Sequence, residues 1–106
     1  MTRVIFDRAG PELRCEGHAG AAPLGQDLVC AAESILLYTL LDYVGQREAL
    51  MHPQVWLSPG RARILCRPEK GHRRRCRELM EAIFRGFELL EQAYPLCVEA
   101  RRGGGR

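Results

Sequence analysis

Residues 27–45 read DLVCAAESILLYTLLDYVG, and this stretch decides the architecture. Asp27 is a good helix N-cap, because its carboxylate can accept from backbone N–H groups that the first turn leaves free. Residues 28–44 then run without glycine or proline until Gly45 supplies a stop. Leu28, Val29, Ile35, Leu36, Leu37, Leu40, Leu41 and Val44 spread apolar surface over most of the circumference. Such a helix is expected to be largely buried, or to be buried on one side by a partner subunit.

The flanking segments supply a sheet. Upstream, residues 2–6 are β-branched and apolar, Ala9-Gly10-Pro11 breaks the run, and residues 12–15 alternate, which predicts a strand pair. Residues 17–25 are glycines, alanines and a proline around His18, too small-sided for a regular element, and predict a mobile loop. Downstream, residues 55–57 and 61–67 read as strands around Ser58-Pro59-Gly60, where Pro then Gly suits a type II turn. Cys76, Leu79 or Met80, Ile83, Phe87 and Leu90 recur at helical spacing within residues 72–93, and residues 96–101 alternate again as a last strand. The expected fold is α/β of the α+β kind, ordered ββαββαβ, with two helices on one face of a mixed, largely antiparallel sheet. Residues 1–101 are expected to form a single domain and residues 102–106 a disordered tail.

Composition narrows the class. The chain has 106 residues, 46% of them hydrophobic, enough for one domain with a real core. Its 16 basic and 13 acidic residues leave a formal charge of +3, too weak a bias to argue for nucleic acid by itself. Cys15, Cys30, Cys66, Cys76 and Cys97 are odd in number and contain no CxxC pair, unlike a secreted disulfide framework. No charged-then-apolar leader opens the chain. Glu33, Ser34, Thr39 and Asp42 interrupt its longest apolar run, which reads as falling short of the roughly 18–20 residues of a membrane span. The expectation is a cytoplasmic protein in a reducing compartment, without membrane contact and without a cofactor.

The chemistry concentrates in Gly17-His18-Ala19-Gly20 and in Gly25-Gln26-Asp27-Leu28-Val29-Cys30-Ala31-Ala32-Glu33-Ser34. With Asp27 as cap, Cys30 falls in the first helical turn, where the positive dipole end favours a thiolate. His18 ends a strand across a glycine-hinged loop and can swing to the thiol, lower its pKa and later protonate a leaving amine. The free N–H groups of the turn can donate to a developing oxyanion. Against this stands a plainer reading, since a cysteine near the start of an apolar helix is usually buried filler. Asp27 can equally be only a cap, and Ser34, one turn after Cys30, can meet substrate or bond the backbone one turn earlier.

The GHAG block at residues 17–20, followed by G-x-D-L-V-C-A-A-x-S at residues 25–34, resembles the ribosomal-processing cysteine protease family, often called Prp. The spacing of His18 and Cys30 and the order of elements over residues 1–101 agree with that family. The resemblance implies a small homodimeric α/β protein that removes the N-terminal extension of the large-subunit ribosomal protein numbered twenty-seven, cutting after an aromatic residue. It implies that Cys30 is the catalytic cysteine and His18 the catalytic histidine. Asp27 and Ser34 match polar positions near the pair, and Gly17, Gly20 and Gly25 match the loop glycines. Glu33 departs from the pattern, standing where an apolar residue is expected.

Other features carry competing readings. His72 and Cys76 lie four apart, and Cys15, His18 and Cys30 could be gathered into a three-ligand zinc site, but neither set shows a legible ligand spacing. Arg73, Arg74, Arg75 and Arg77 form the densest basic run, readable as a weak ribosome or rRNA contact or as a solvated helix start. No aromatic residue interleaves there for base stacking. The competing function is a non-enzymatic ribosome-associated RNA or protein binding module using the 70–77 face. A redox-sensing thiol is a further reading and needs a resolving cysteine near Cys30.

Overall fold

The computed structural model describes residues 1–17 and 25–104 and, in the first helix, side chains from Leu28 onward. Its elements are β1 (Thr2–Asp7), β2 (Glu12–Gly17), α1 (Gly25–Gly45), α2 (Glu48–Met51), β3 (Pro53–Ser58), β4 (Arg61–Cys66), α3 (Arg73–Ala93) and β5 (Val98–Arg102). The expected ββαββαβ order holds, with the short α2 added. The strands make one mixed sheet in the order β3-β4-β2-β1-β5. All neighbours are antiparallel except β1 and β5, which run parallel because α3 carries the chain back across the sheet.

Strand alternation gives the sheet one covered face. Val4 sits beside Cys15 and Cys15 beside Ala62, while Phe6 sits beside Leu13 and Leu13 beside Ile64. These six are buried, together with Val98 and Ala100 from β5. Intervening residues such as Arg14, Arg63 and Arg101 point to the other side, as the period of two requires. Helix α3 lays its buried stripe of Cys76, Met80, Ile83, Phe84 and Phe87 over this face. Burying each large side chain contributes about 1.5–3 kcal/mol. Helix α1 crosses α3 where Gly86 offers no side chain; a Cβ there would run into the methyl groups of Leu36.

The structure revises several expectations. Helix α1 begins at Gly25, so Asp27 is its third residue and not its cap. Among the described side chains of α1 only Val29, Glu33, Leu40 and Val44 are buried, while Leu28, Ile35 and Tyr38 are each more than 60% exposed. The helix is therefore buried on one side, with a second apolar stripe uncovered. Its segment Leu28–Gly45 is also long and apolar enough to cross a membrane by length and composition, because its few polar residues are outweighed by leucines. In this fold one side of that segment packs on the core through Leu40 and Val44.

The chain end is more ordered than expected. Arg102 belongs to β5 beside Phe6, and its guanidinium lies over the Phe6 and Phe84 rings while bonding Glu81. The Gly103 N–H donates to the Phe6 carbonyl at 2.9 Å. The predicted tail at 102–106 thus starts no earlier than Gly104, and residues 105–106 lie outside the described residues. Arg77 is also occupied: its guanidinium donates to the carbonyls of Arg8 and Ala9, holding the β1–β2 turn.

Candidate active site

Between α1 and the β2–β4–β3 side of the sheet lies a cavity of about 390 Å³. The end of β2, the β3–β4 turn and α1 shape its opening, and Thr2 of β1 and Phe87 of α3 also line it. Gly17 closes β2 with a positive φ of 92°, and its N–H donates to Gly60 O at 2.8 Å, tying the strand end to the β3–β4 turn. Gly60 itself has φ 72°, as a type II turn after Pro59 requires. Helix α1 then lowers Cys30, Glu33, Ser34, Leu37 and Leu41 against that turn, because these residues share one side of the helix at spacings of three and four.

Cys30 is the sixth residue of α1 and is solvent-exposed at this cavity. That placement corrects the expected first-turn position. The N–H groups free at a helix start belong to its first four residues, so the Cys30 amide is not one of them, and the dipole acts on it less strongly. Its exposure is the informative property. Cys15, Cys66 and Cys76 are buried and Cys97 is half-buried, which makes Cys30 the one exposed thiol of the five. The reading of Cys30 as core filler therefore fails.

Three of the remaining cysteines, Cys15, Cys66 and Cys76, are shut away from solvent. Burial, with a further push from the Glu33 charge, raises the Cys15 thiol to about 12. Cys66 and Cys76 share a hydrogen bond inside the core, which raises Cys66 and lowers Cys76. Cys15 lines the same cavity as Cys30, but its burial on β2 argues against a resolving thiol.

Ser34 lies half-buried on the cavity wall beside the turn that carries Cys30. Gly25 opens α1. His18 and Gly20 lie outside the described residues; Gly17, immediately before His18, ends β2 at the cavity that Cys30 lines. The structure thus gathers Gly17, Cys30 and Ser34 at one place. Among the described residues no three His, Cys, Asp or Glu side chains gather as metal ligands.

Aromatic selectivity implied an apolar pocket, but sequence reasoning did not identify the cavity's apolar walls, Leu37, Leu41, Leu57, Ala62 and Phe87. Nor did it place Glu33, which is 7% exposed and whose Oε1 accepts from the Thr2 hydroxyl at 3.2 Å. Burial pushes the Glu33 carboxyl above its ordinary value, against the opposing effects of the Thr2 bond and the Met1 ammonium. The signal for it was present, since a glutamate among alanines and leucines marks a break in an apolar helix.

The family model described as cysteine protease Prp matches residues 1–99. Among curated proteins, none matches at a significant level. Solved structures share the fold. The essential ribosomal processing protease Prp from S. aureus, with a covalently linked product peptide, superposes at a TM-score of 0.75 and 15% identity, covering 96% of this chain and 97% of its own. The same protein with a substrate peptide gives 0.75 and 16% identity over 97% and 100%. The SMU.848 protein of Streptococcus mutans gives 0.68 and 23% identity over 95% and 90%.

Proposed function

The chain belongs to the cysteine protease Prp family, and from that premise we propose that it removes the N-terminal extension of the large-subunit ribosomal protein numbered twenty-seven, cutting after an aromatic residue. The observation that carries this reading is the single exposed thiol, Cys30, at the mouth of an apolar cavity. The volume of that cavity, about 390 Å³, falls in the range of sites that hold one sizeable side chain. The S. aureus relative binds a substrate peptide and a covalently linked product peptide, which supports peptide as the substrate class.

In the proposed mechanism His18 takes the proton from the Cys30 thiol, and the sulfur attacks the scissile carbonyl. The tetrahedral oxyanion collapses to a thioester as His18 gives its proton to the departing amine. Water, activated by the same imidazole, then releases the acid and restores the thiol. Gly17 matters here for its conformation. A positive φ and close approach to the Met1 carbonyl leave no room for a side chain, so the β2 end can deliver residue 18 only with glycine before it.

The protein acts as a homodimer in this reading, in the cytoplasm, with the α1 stripe of Leu28, Ile35 and Tyr38 as contact surface. Their exposure as large apolar side chains on one helix supports that assignment. Arg73, Arg74 and Arg75 are exposed and suit a weak rRNA contact, whereas Arg77 is engaged in the fold. The test is cleavage of the purified ribosomal precursor by wild type, Cys30→Ala and His18→Ala, read by mass. Cleavage after an aromatic residue by wild type alone is expected. An intact precursor under reducing conditions refutes the proposal.

A further inference from the structure

Among the described residues, the Glu33 carboxyl is a buried polar group at the cavity to which the proposed mechanism gives no role. It stands one helical turn beyond Cys30, on the same side of α1, and both residues line the cavity. Its side chain is more than nine-tenths buried. Oε1 is engaged by Thr2, but Oε2 has no hydrogen-bond partner among the described residues. A buried polar atom left without a partner is costly, and because Glu33 is one of the residues that line the cavity, a donor that reaches this oxygen from there recovers that cost. Around it the walls are Leu37, Leu41, Leu57, Ala62 and Phe87.

We infer that Glu33 is a specificity-determining residue, whose free carboxylate oxygen accepts a hydrogen bond from the neutral donor at the tip of an aromatic substrate side chain. This inference rests on the protease reading and sharpens it: the residue preceding the cut is tyrosine or tryptophan in preference to phenylalanine. Apolar walls suit the ring, and the single acceptor suits a single donor. A phenol fits either protonation state of the carboxyl, since it can donate to a carboxylate and accept from a carboxylic acid. A lysine or arginine tip fits less well, because Arg61 already lines the same cavity and would repel it.

The test uses peptides spanning the junction that differ only at the residue before the cut, which is tyrosine, phenylalanine, 4-fluorophenylalanine, tryptophan or lysine. Wild type is expected to cleave the tyrosine peptide roughly ten- to a hundredfold better in kcat/KM than the phenylalanine and 4-fluorophenylalanine peptides. The fluoro analogue matches tyrosine closely in size and lacks the donor, so this comparison needs no variant. Glu33→Leu is expected to erase or invert the ratio, and Glu33→Gln to keep part of it, since an amide oxygen still accepts. Wild type that cleaves the fluoro peptide as well as the tyrosine peptide overturns the inference. A preference for lysine overturns the neutral-donor assignment. If no peptide is cleaved, the protease reading fails first; affinities of Cys30→Ala for the same peptides then decide the inference separately, with equal tyrosine and phenylalanine binding refuting it.

Discussion

Replacing Glu33 with leucine should stabilise the protein, by an amount that grows with pH. At 7% exposure the site buries a leucine almost completely, a gain of about 2 kcal/mol. Losing the hydrogen bond to Thr2, itself buried, offsets about 1 kcal/mol. The net is about 1 kcal/mol where the carboxyl is protonated. As pH rises, the ionisation term adds to this. Because burial raises the native carboxyl above 4.5, the unfolded chain sheds its proton first. Wild-type stability therefore falls as pH climbs from about 4.5 through the raised native value and is level above it, at about 1.4 kcal/mol for each unit of elevation. Glu33→Leu lacks that slope. Urea unfolding followed by far-ultraviolet circular dichroism, at about pH 5 and about pH 7.5, should show the gap between variant and wild type widening. Glu33→Gln should flatten the slope without the full apolar gain. A gap that stays constant with pH, or a leucine variant less stable at both, refutes the argument that an underpaired buried carboxyl stands here.

Other outcomes follow from exposure and contact. Brief alkylation of the native protein should modify Cys30 ahead of the four other thiols, giving one added mass that Cys30→Ala abolishes; rapid labelling of Cys15 would contradict its burial. Tyr38→Glu with Ile35→Asp should convert a dimer to a monomer in sedimentation velocity while changing monomer stability by less than about 0.5 kcal/mol per site, since both side chains are exposed. An unchanged sedimentation coefficient would refute this stripe as a subunit contact. Arg102→Ala should cost about 1 kcal/mol by uncovering the Phe6 and Phe84 rings and freeing Glu81, measured as a shift in the urea midpoint.

What could be read in advance was what local pattern controls. The strand pair before α1, the hairpin around Pro59-Gly60 and the α3 stripe each follow from alternation, turn chemistry or helical spacing within about twenty residues. Helix α2 was invisible because Glu48–Met51 is too short to show a period. The start of α1 was misplaced because a good capping residue, Asp27, lies two positions inside a helix that begins with glycine. Cys30, His18 and their flanking block were legible as a motif, whereas the cavity was not. Its walls come from Leu37 and Leu41 on α1, Leu57 on β3, Ala62 on β4 and Phe87 on α3, and only the tertiary fold brings those together. The occupation of Arg77 by the β1–β2 turn is equally non-local.

The parallel pairing of β5 with β1 bears on timing. Val29, one residue before Cys30, is fully buried against Val98, the first residue of the last strand. Thr2 N–H likewise donates to the Cys97 carbonyl, so the first strand is hemmed by the last. On a ribosome making this protein, everything up to α3 emerges before β5 exists, and until then β1 has a bare edge and Val29 lacks its contact with Val98. The seat of Val29, and with it the helix turn that carries Cys30, is therefore completed only when β5 arrives, late in synthesis.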